Sequence, residues 1–154
     1  MTLSLDSNVL IDLMRRERPQ VRDRLQAALG AGDDVVVSTI VAQELVLGAY
    51  LSARPERQLE LMGDVLMGLR IEPWTWDDAV ATGRLRAERE RLGRRLAGFD
   101  SLIAGQALAR GWTVVTANIR DFWEVDGLPL LDWSHPDEAV SITGGASWFR
   151  PPPR

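Results

Sequence analysis

The chain is predicted to fold as a three-layer α/β/α sandwich around a mainly parallel sheet of about five strands. Two features carry this. Short β-branched or apolar runs alternate with amphipathic helical stretches, in the order β-α-α-β-α-α-β-α-α-β-β. Strands separated by helices must run parallel and cross over right-handed, which covers both faces of the sheet with helices. At 154 residues, 45% of them hydrophobic, there is material for one sizeable core.

The elements follow in order. Thr2 to Leu5 is a short strand ending at Asp6, and Asn8 to about Arg16 is a helix with Ser7 as its cap. Pro19 opens a second helix with Val21, Leu25 and Leu29 on one face, ending in the Gly30–Gly32 region. Asp34 to Val37 is the strongest early strand signal. Ser38 or Thr39 caps the apolar helix IVAQELVLGAYLSA, and Glu56 to Leu69 continues as a helix with Leu59, Met62 and Leu66 on its core face. A strand near Arg70–Glu72 precedes a helix from Asp77 through Leu92 that stops at Gly93. The stretch FDSLIAGQALARG is a helix with Gly111 just past its end. TVVT at Thr113–Thr116 is a strand, and Leu128–Leu131 is another after a helical turn near Phe122. Residues 1–133 form the domain expected from this pattern. Residues 134–154 depart from it and read as an extension with loose final residues.

Composition removes several chemistries. There is no cysteine, so thiol nucleophiles, disulfides and thiolate metal sites are excluded. All 18 basic residues are arginine; without lysine, P-loop and Schiff-base mechanisms lack their central group. The single histidine, His135, lies in a polar segment, which leaves histidine-based hydrolysis almost nothing to work with. If the chain is an enzyme, carboxylates do the work. No signal sequence or membrane span is evident, and a reducing cytoplasm is the expected compartment.

In an open parallel sheet, ligands bind beyond the carboxyl ends of the strands. Asp6 ends the first strand, Asp121 follows TVVT by a short loop, Glu44 lies just over one turn into the helix after the second strand, and Asp100 opens the helix feeding TVVT. Taken singly, each such acid reads as a solvated helix cap. Asp6, held between apolar runs, fits that reading least. Together the four make an all-oxygen donor set suited to Mg²⁺ or Mn²⁺. Two such ions about 4 Å apart can activate water and stabilise the leaving oxygen of a phosphodiester. The net charge of −4 is unusual for a nucleic-acid binder, and two divalent ions would cancel it.

These same residues resemble a known family. LDSNVLIDL looks like the opening motif of PIN domains, with Asp6 and Asn8. STIVAQELVLGA resembles the second motif, with Glu44. GFDSLIAGQALARG is similar to the third, with Asp100, and VVTANIRDFWEVDGLPLLDW to the closing block, with Thr116, Asn118 and Asp121. The likeness spans roughly residues 2–133. It implies a PIN-like fold and a Mg²⁺- or Mn²⁺-dependent endoribonuclease of the VapC-like toxins, cutting structured RNA of the tRNA or rRNA class. It implies catalytic and metal-holding roles for Asp6, Glu44, Asp100 and Asp121, with Asn8, Thr116 and Asn118 as polar support. It also implies a homodimer and an antitoxin whose C-terminal segment covers the acidic groove. Two departures stand out: Arg94 and Arg95 before the third acid, and Gly105 where alanine is commoner.

Of the arginines crowded between Arg84 and Arg95, those interleaved with Glu88 and Glu90 form a solvated helix face. Arg94, Arg95 and Arg120 are instead candidates for RNA-phosphate contacts. The helix around Glu44 is apolar on more than one face, as a surface shared with a subunit or antitoxin would be. Three other readings compete. A receiver-type binding module needs a lysine that is missing. A haloacid-dehalogenase-like phosphatase needs an acid at position 8, where Asn8 stands. A catalytically silent PIN-like module would have no need of all four acids.

Overall fold

A computed structural model describes residues 1–145. Six strands form one sheet in the order β3-β2-β1-β4-β5-β6: β1 Thr2–Leu5, β2 Asp34–Ser38, β3 Arg70–Glu72, β4 Thr113–Val115, β5 Pro129–Asp132 and β6 Val140–Thr143. The first five are parallel, as the alternating pattern predicts, and β6 runs antiparallel to β5 with Leu130 opposite Ile142. This sixth strand comes from the segment set apart as an extension. The expectation of loose final residues lies outside the described residues.

The helices are α1 Ser7–Arg15, α2 Pro19–Gly30, α3 Thr39–Tyr50, α4 Pro55–Leu66, α5 Trp76–Arg91, α6 Gly98–Arg110 and the short α7 Ile119–Phe122. The central strands are buried on both faces, with Leu5, Val36, Val37, Val114 and Val115 wholly inside. Such continuous apolar runs belong to a parallel sheet covered by helices.

Several local details differ from the sequence reading. Asp6, not Ser7, caps α1: its extended backbone leaves the carboxylate to accept the Ser7 N–H at 2.7 Å. The cap of α3 is Ser38, whose hydroxyl accepts the Ile40 N–H. In α2 the inward position is Ala28, while Leu29 stays 39% exposed. Arg89 leaves the solvated arginine face; it is buried and pairs with Glu124 across to the α7 region. At the end of α1, Arg16 takes the left-handed conformation (φ 58°), the one non-glycine residue among those described with positive φ. That costs a side chain of this kind roughly 1–2 kcal/mol.

Gly105 is required where it stands. The helices α5 and α6 cross so closely that a Cβ at Gly105 would meet Thr82 Oγ1 at 2.0 Å and the Thr82 backbone at 2.7 Å. This crossing fixes the position of α6, whose first turn carries Asp100.

Candidate active site

The strand order reverses direction between β1 and β4. From β1 the chain builds β2 and β3 on one side, then returns to β4 and β5 on the other. A crevice opens at such a switch point beyond the carboxyl ends of the strands, and Asp6 stands there. Its backbone N–H still bonds Val115 of β4 at 3.0 Å, so the residue is locked to both central strands.

The Asp6 carboxylate is 5% exposed and heavily hydrogen-bonded. Oδ2 accepts from the Thr116 hydroxyl and from Asn8 Nδ2, both at 2.7 Å; Oδ1 accepts from the Ser7 backbone. Asn8 also donates to Thr116 Oγ1 at 3.0 Å and accepts the Ala117 N–H at 2.9 Å through Oδ1, tying the start of α1 to the loop after β4. Thr116 Oγ1 accepts the backbone N–H of Asn118. The expected support from position 118 therefore comes through its main chain in this network.

Burial, the strongest influence, pushes the Asp6 carboxyl above the usual range, and the bonds from Thr116, Ser7 and Asn8 offset part of that. Glu44, on α3, is also raised, by burial first and then by the charge of Asp6, while a bond from the Ser7 side chain favours its ionised form. Asp100 is pushed up to about 6. Burial leads, followed by repulsion from Asp121, Asp6 and Glu44 in that order. Every charge acting on Asp100 in that set is negative, so the four acids drawn from four segments share one electrostatic neighbourhood. Asp121 lies within α7 rather than a loop and is exposed.

Ser7 is the residue that sequence reasoning missed. Treated as a helix cap, it instead stands between two acids, bonding Asp6 through its backbone and Glu44 through its side chain. Its place immediately after the first acid was the available signal.

Among the described residues, no three acids or histidines are drawn together tightly enough to hold a metal as they stand. The donor chemistry nonetheless suits one. The set is all carboxylate oxygen, its members repel one another, and a divalent cation is the natural counter-charge.

The arginine candidates fall on two separate segments. Arg94 and Arg95 are exposed in the loop between α5 and α6, and Arg95 bonds Glu90 at 2.7 Å. Arg120 is half-buried in α7, beside Asp121.

A second acidic cluster lies across the molecule's α5–α6 side. Asp78, 1% exposed, receives Arg110 Nε at 3.0 Å and Nη2 at 2.7 Å, and Arg110 Nη1 reaches Glu72 at 2.7 Å. Asp78 also closes a capping box with Thr75, and Arg110 lies over the Trp112 ring at 4.8 Å.

Comparison with known proteins agrees with this layout. Residues 3–128 match the PIN domain family. The chain is 38% identical over 132 residues to the tRNA(fMet)-specific endonuclease VapC of Shigella flexneri, spanning 84% of this chain and 96% of that protein. It is 30% identical to ribonuclease VapC2 of Haemophilus influenzae over 84% of this chain and 96% of the relative. The fold superposes on DNA-bound VapBC from Salmonella typhimurium with a TM-score of 0.80 and 32% identity, covering 86% of this chain and 98% of that one. VapBC2 from Rickettsia felis, bound to a promoter DNA fragment, gives a TM-score of 0.82 at 27% identity, over 86% and 99% of the respective chains. With the fold, the acid arrangement and these likenesses in agreement, the chain belongs to the PIN-domain family, within its VapC ribonuclease branch.

Proposed function

We propose that the chain is a Mg²⁺- or Mn²⁺-dependent endoribonuclease toxin that cuts structured RNA of the tRNA class in the cytoplasm and is held in check by a protein antitoxin. The observation that carries this is the gathering of Asp6, Glu44, Asp100 and Asp121 from distant parts of the chain, close enough that Asp100 is raised first by burial and then by the other three acids. Acids kept unpaired at a fold's ligand-binding edge are costly unless a cation answers them.

In this reading Asp6, Glu44, Asp100 and Asp121 hold the metal. When bound, such an ion supplies an activated water and positive charge for the departing oxygen of a phosphodiester. The remaining residues orient the acids. Thr116 and Asn8 orient Asp6 and favour its ionised form against burial, and Ser7 bridges Asp6 and Glu44. The relatives named for tRNA(fMet) and the VapBC complexes favour a tRNA target and an antitoxin partner.

The nuclease unit is residues 1–133, and the extension adds β6 to its edge. A homodimer is part of the proposal. On α3 and at its C-cap, Leu47, Tyr50 and Leu51 turn outward, 48–78% exposed, while Val41, Leu45 and Ala49 are buried. That gives the two apolar faces a subunit or antitoxin surface requires. Incubating the purified chain with a tRNA transcript and with rRNA, in Mg²⁺, Mn²⁺ or EDTA, tests the activity. Cleavage of tRNA that stops in EDTA is expected; cleavage undiminished by EDTA, or none in either metal, contradicts the reading. Light scattering at several concentrations tests the dimer.

A further inference from the structure

Beside the acids the surface opens into a cleft of about 820 Å³ between α1, α3 and α4, and Ser7 and Glu44 are part of its lining. Ile11, Leu45 and Leu61 give the lining an apolar part, and Arg15, Arg16 and Arg57 line it together with the acids Glu17 and Glu44. A neighbouring hollow of about 340 Å³ shares Met14, Arg16 and Leu61 with it, so Arg16 borders both.

Arg16 is brought there by an unfavourable backbone. It occupies the left-handed C-cap of α1, a position that glycine fills at least cost. Strain of this kind persists where the surroundings hold it, and it gathers at binding sites. Among the described residues Arg16 pairs with no acid, in contrast to the nearby Arg18, which bonds Asp12 at 2.7 Å. Its neighbours are weakly engaged. Arg15 approaches Glu17 only to 3.9 Å, and Arg57 pairs with Glu60 at 3.3 Å, all on largely exposed side chains.

We propose that this cleft is the track along which the RNA backbone reaches the acid site, with Arg16 as the principal phosphate contact and Arg15 and Arg57 flanking it. The proposal rests on reading the four acids as an RNA-cutting site. A phosphodiester delivered to Glu44 must lay its flanking nucleotides along the adjoining walls. Three guanidiniums there offset the repulsion that an acidic site in a chain of net charge −4 exerts on RNA. The apolar part of the lining accepts sugar and base faces without reading their edges, so the track positions RNA rather than selecting its sequence. The loop carrying Arg94 and Arg95 borders a separate, smaller hollow with Arg86 and Glu90.

The test is equilibrium binding of a labelled tRNA transcript to the full chain in an Asp100→Asn background, across roughly 50–300 mM salt. Arg16→Gly keeps the backbone conformation and removes the guanidinium. It should leave the melting temperature equal or higher, weaken RNA binding by about three- to tenfold and flatten the salt slope by about one. Arg16→Lys should retain most of the affinity. Adding Arg15→Ala and Arg57→Ala should flatten the slope by about two further units. A triple variant that folds and keeps the parent slope overturns the track. The underlying reading is checked separately with Asp100 intact. A chain that never cuts RNA removes both ideas, whereas one that cuts RNA while the triple variant binds normally removes the track alone.

Discussion

Two groups of acids in this molecule are built from the same side chains and behave in opposite ways. At Asp78, burial alone would raise the carboxyl, but the bonds from Arg110 and Thr75 outweigh it and hold the group below its ordinary range. At Asp100, burial acts in the same direction, and the neighbouring charges add to it instead of opposing it, so the group reaches about 6. Arg110 in turn is pushed up by its bond with Asp78. The first group fastens β3, α5 and α6 to one another. The second stores repulsion at the switch point of the sheet. Compensation marks the structural cluster, and its lack marks the one available for a cation.

The sharpest way to break this comparison is to neutralise one acid in each group. Asp100→Asn should cut RNA cleavage by more than roughly 100-fold, beyond the 10–100-fold usual for groups that merely orient a ligand. The metal-free protein should keep or gain melting temperature. Cleavage assays and calorimetry on the same preparation decide it, and near-normal cleavage would remove Asp100 from the machinery. Asp78→Asn should do the reverse, costing about 1.5–3 kcal/mol because the partly buried Arg110 keeps Glu72 but loses its charged bonds to Asp78. Denaturant titration measures that loss, and a neutral result would mean that the Arg110 cluster is not structural.

A third expectation concerns the helix crossing that positions Asp100. Gly105→Ala should cost about 1–3 kcal/mol from overpacking against Thr82, and Thr82→Ala in the same chain should recover part of it. Denaturation curves of the parent, both single variants and the double variant check the coupling; additive losses would contradict it.

The smallest effects lie in pH. Asp100 binds its proton more tightly folded than unfolded. Its contribution is therefore fully present below the ordinary value of 3.8 and is lost as pH rises through about 6. Asp78 has the opposite sign, its contribution being present above the ordinary value and lost as pH falls below it. Melting of the metal-free protein should show an Asp100-dependent decline between about pH 4 and 6 that Asp100→Asn abolishes and millimolar Mg²⁺ or Mn²⁺ relieves. A decline that persists in the variant would assign it to other groups.

The sequence made the parallel layout and the acid positions legible because both rest on strong local signals. β-branched runs such as DVVVS cannot be mistaken for helix, and an acid directly after a strand has only one edge to occupy. What escaped depends on distant partners. The strand VSIT is four residues in a polar stretch, and only its pairing with PLLD, across the connection WSHPDEA, gives it structure. The capping role passed from Ser7 to Asp6 because the acid is held by Thr116, which lies far along the chain. Arg16 carries no sequence mark at all, since a left-handed arginine is fixed by the turn around it rather than by its own preference.

The bond between Asp6 and Thr116 spans 110 residues, and Asp121 lies further on still. At roughly 5–20 residues per second, a ribosome needs about 6–24 s to pass from the first residue to the last of these acids. Through that interval the growing chain holds Asp6 and Glu44 without their counterparts. Shortened products ending before residue 121 would be equally incomplete. On the proposed reading of the four acids, the RNA-cutting site is therefore incomplete until four of the six strands have been made.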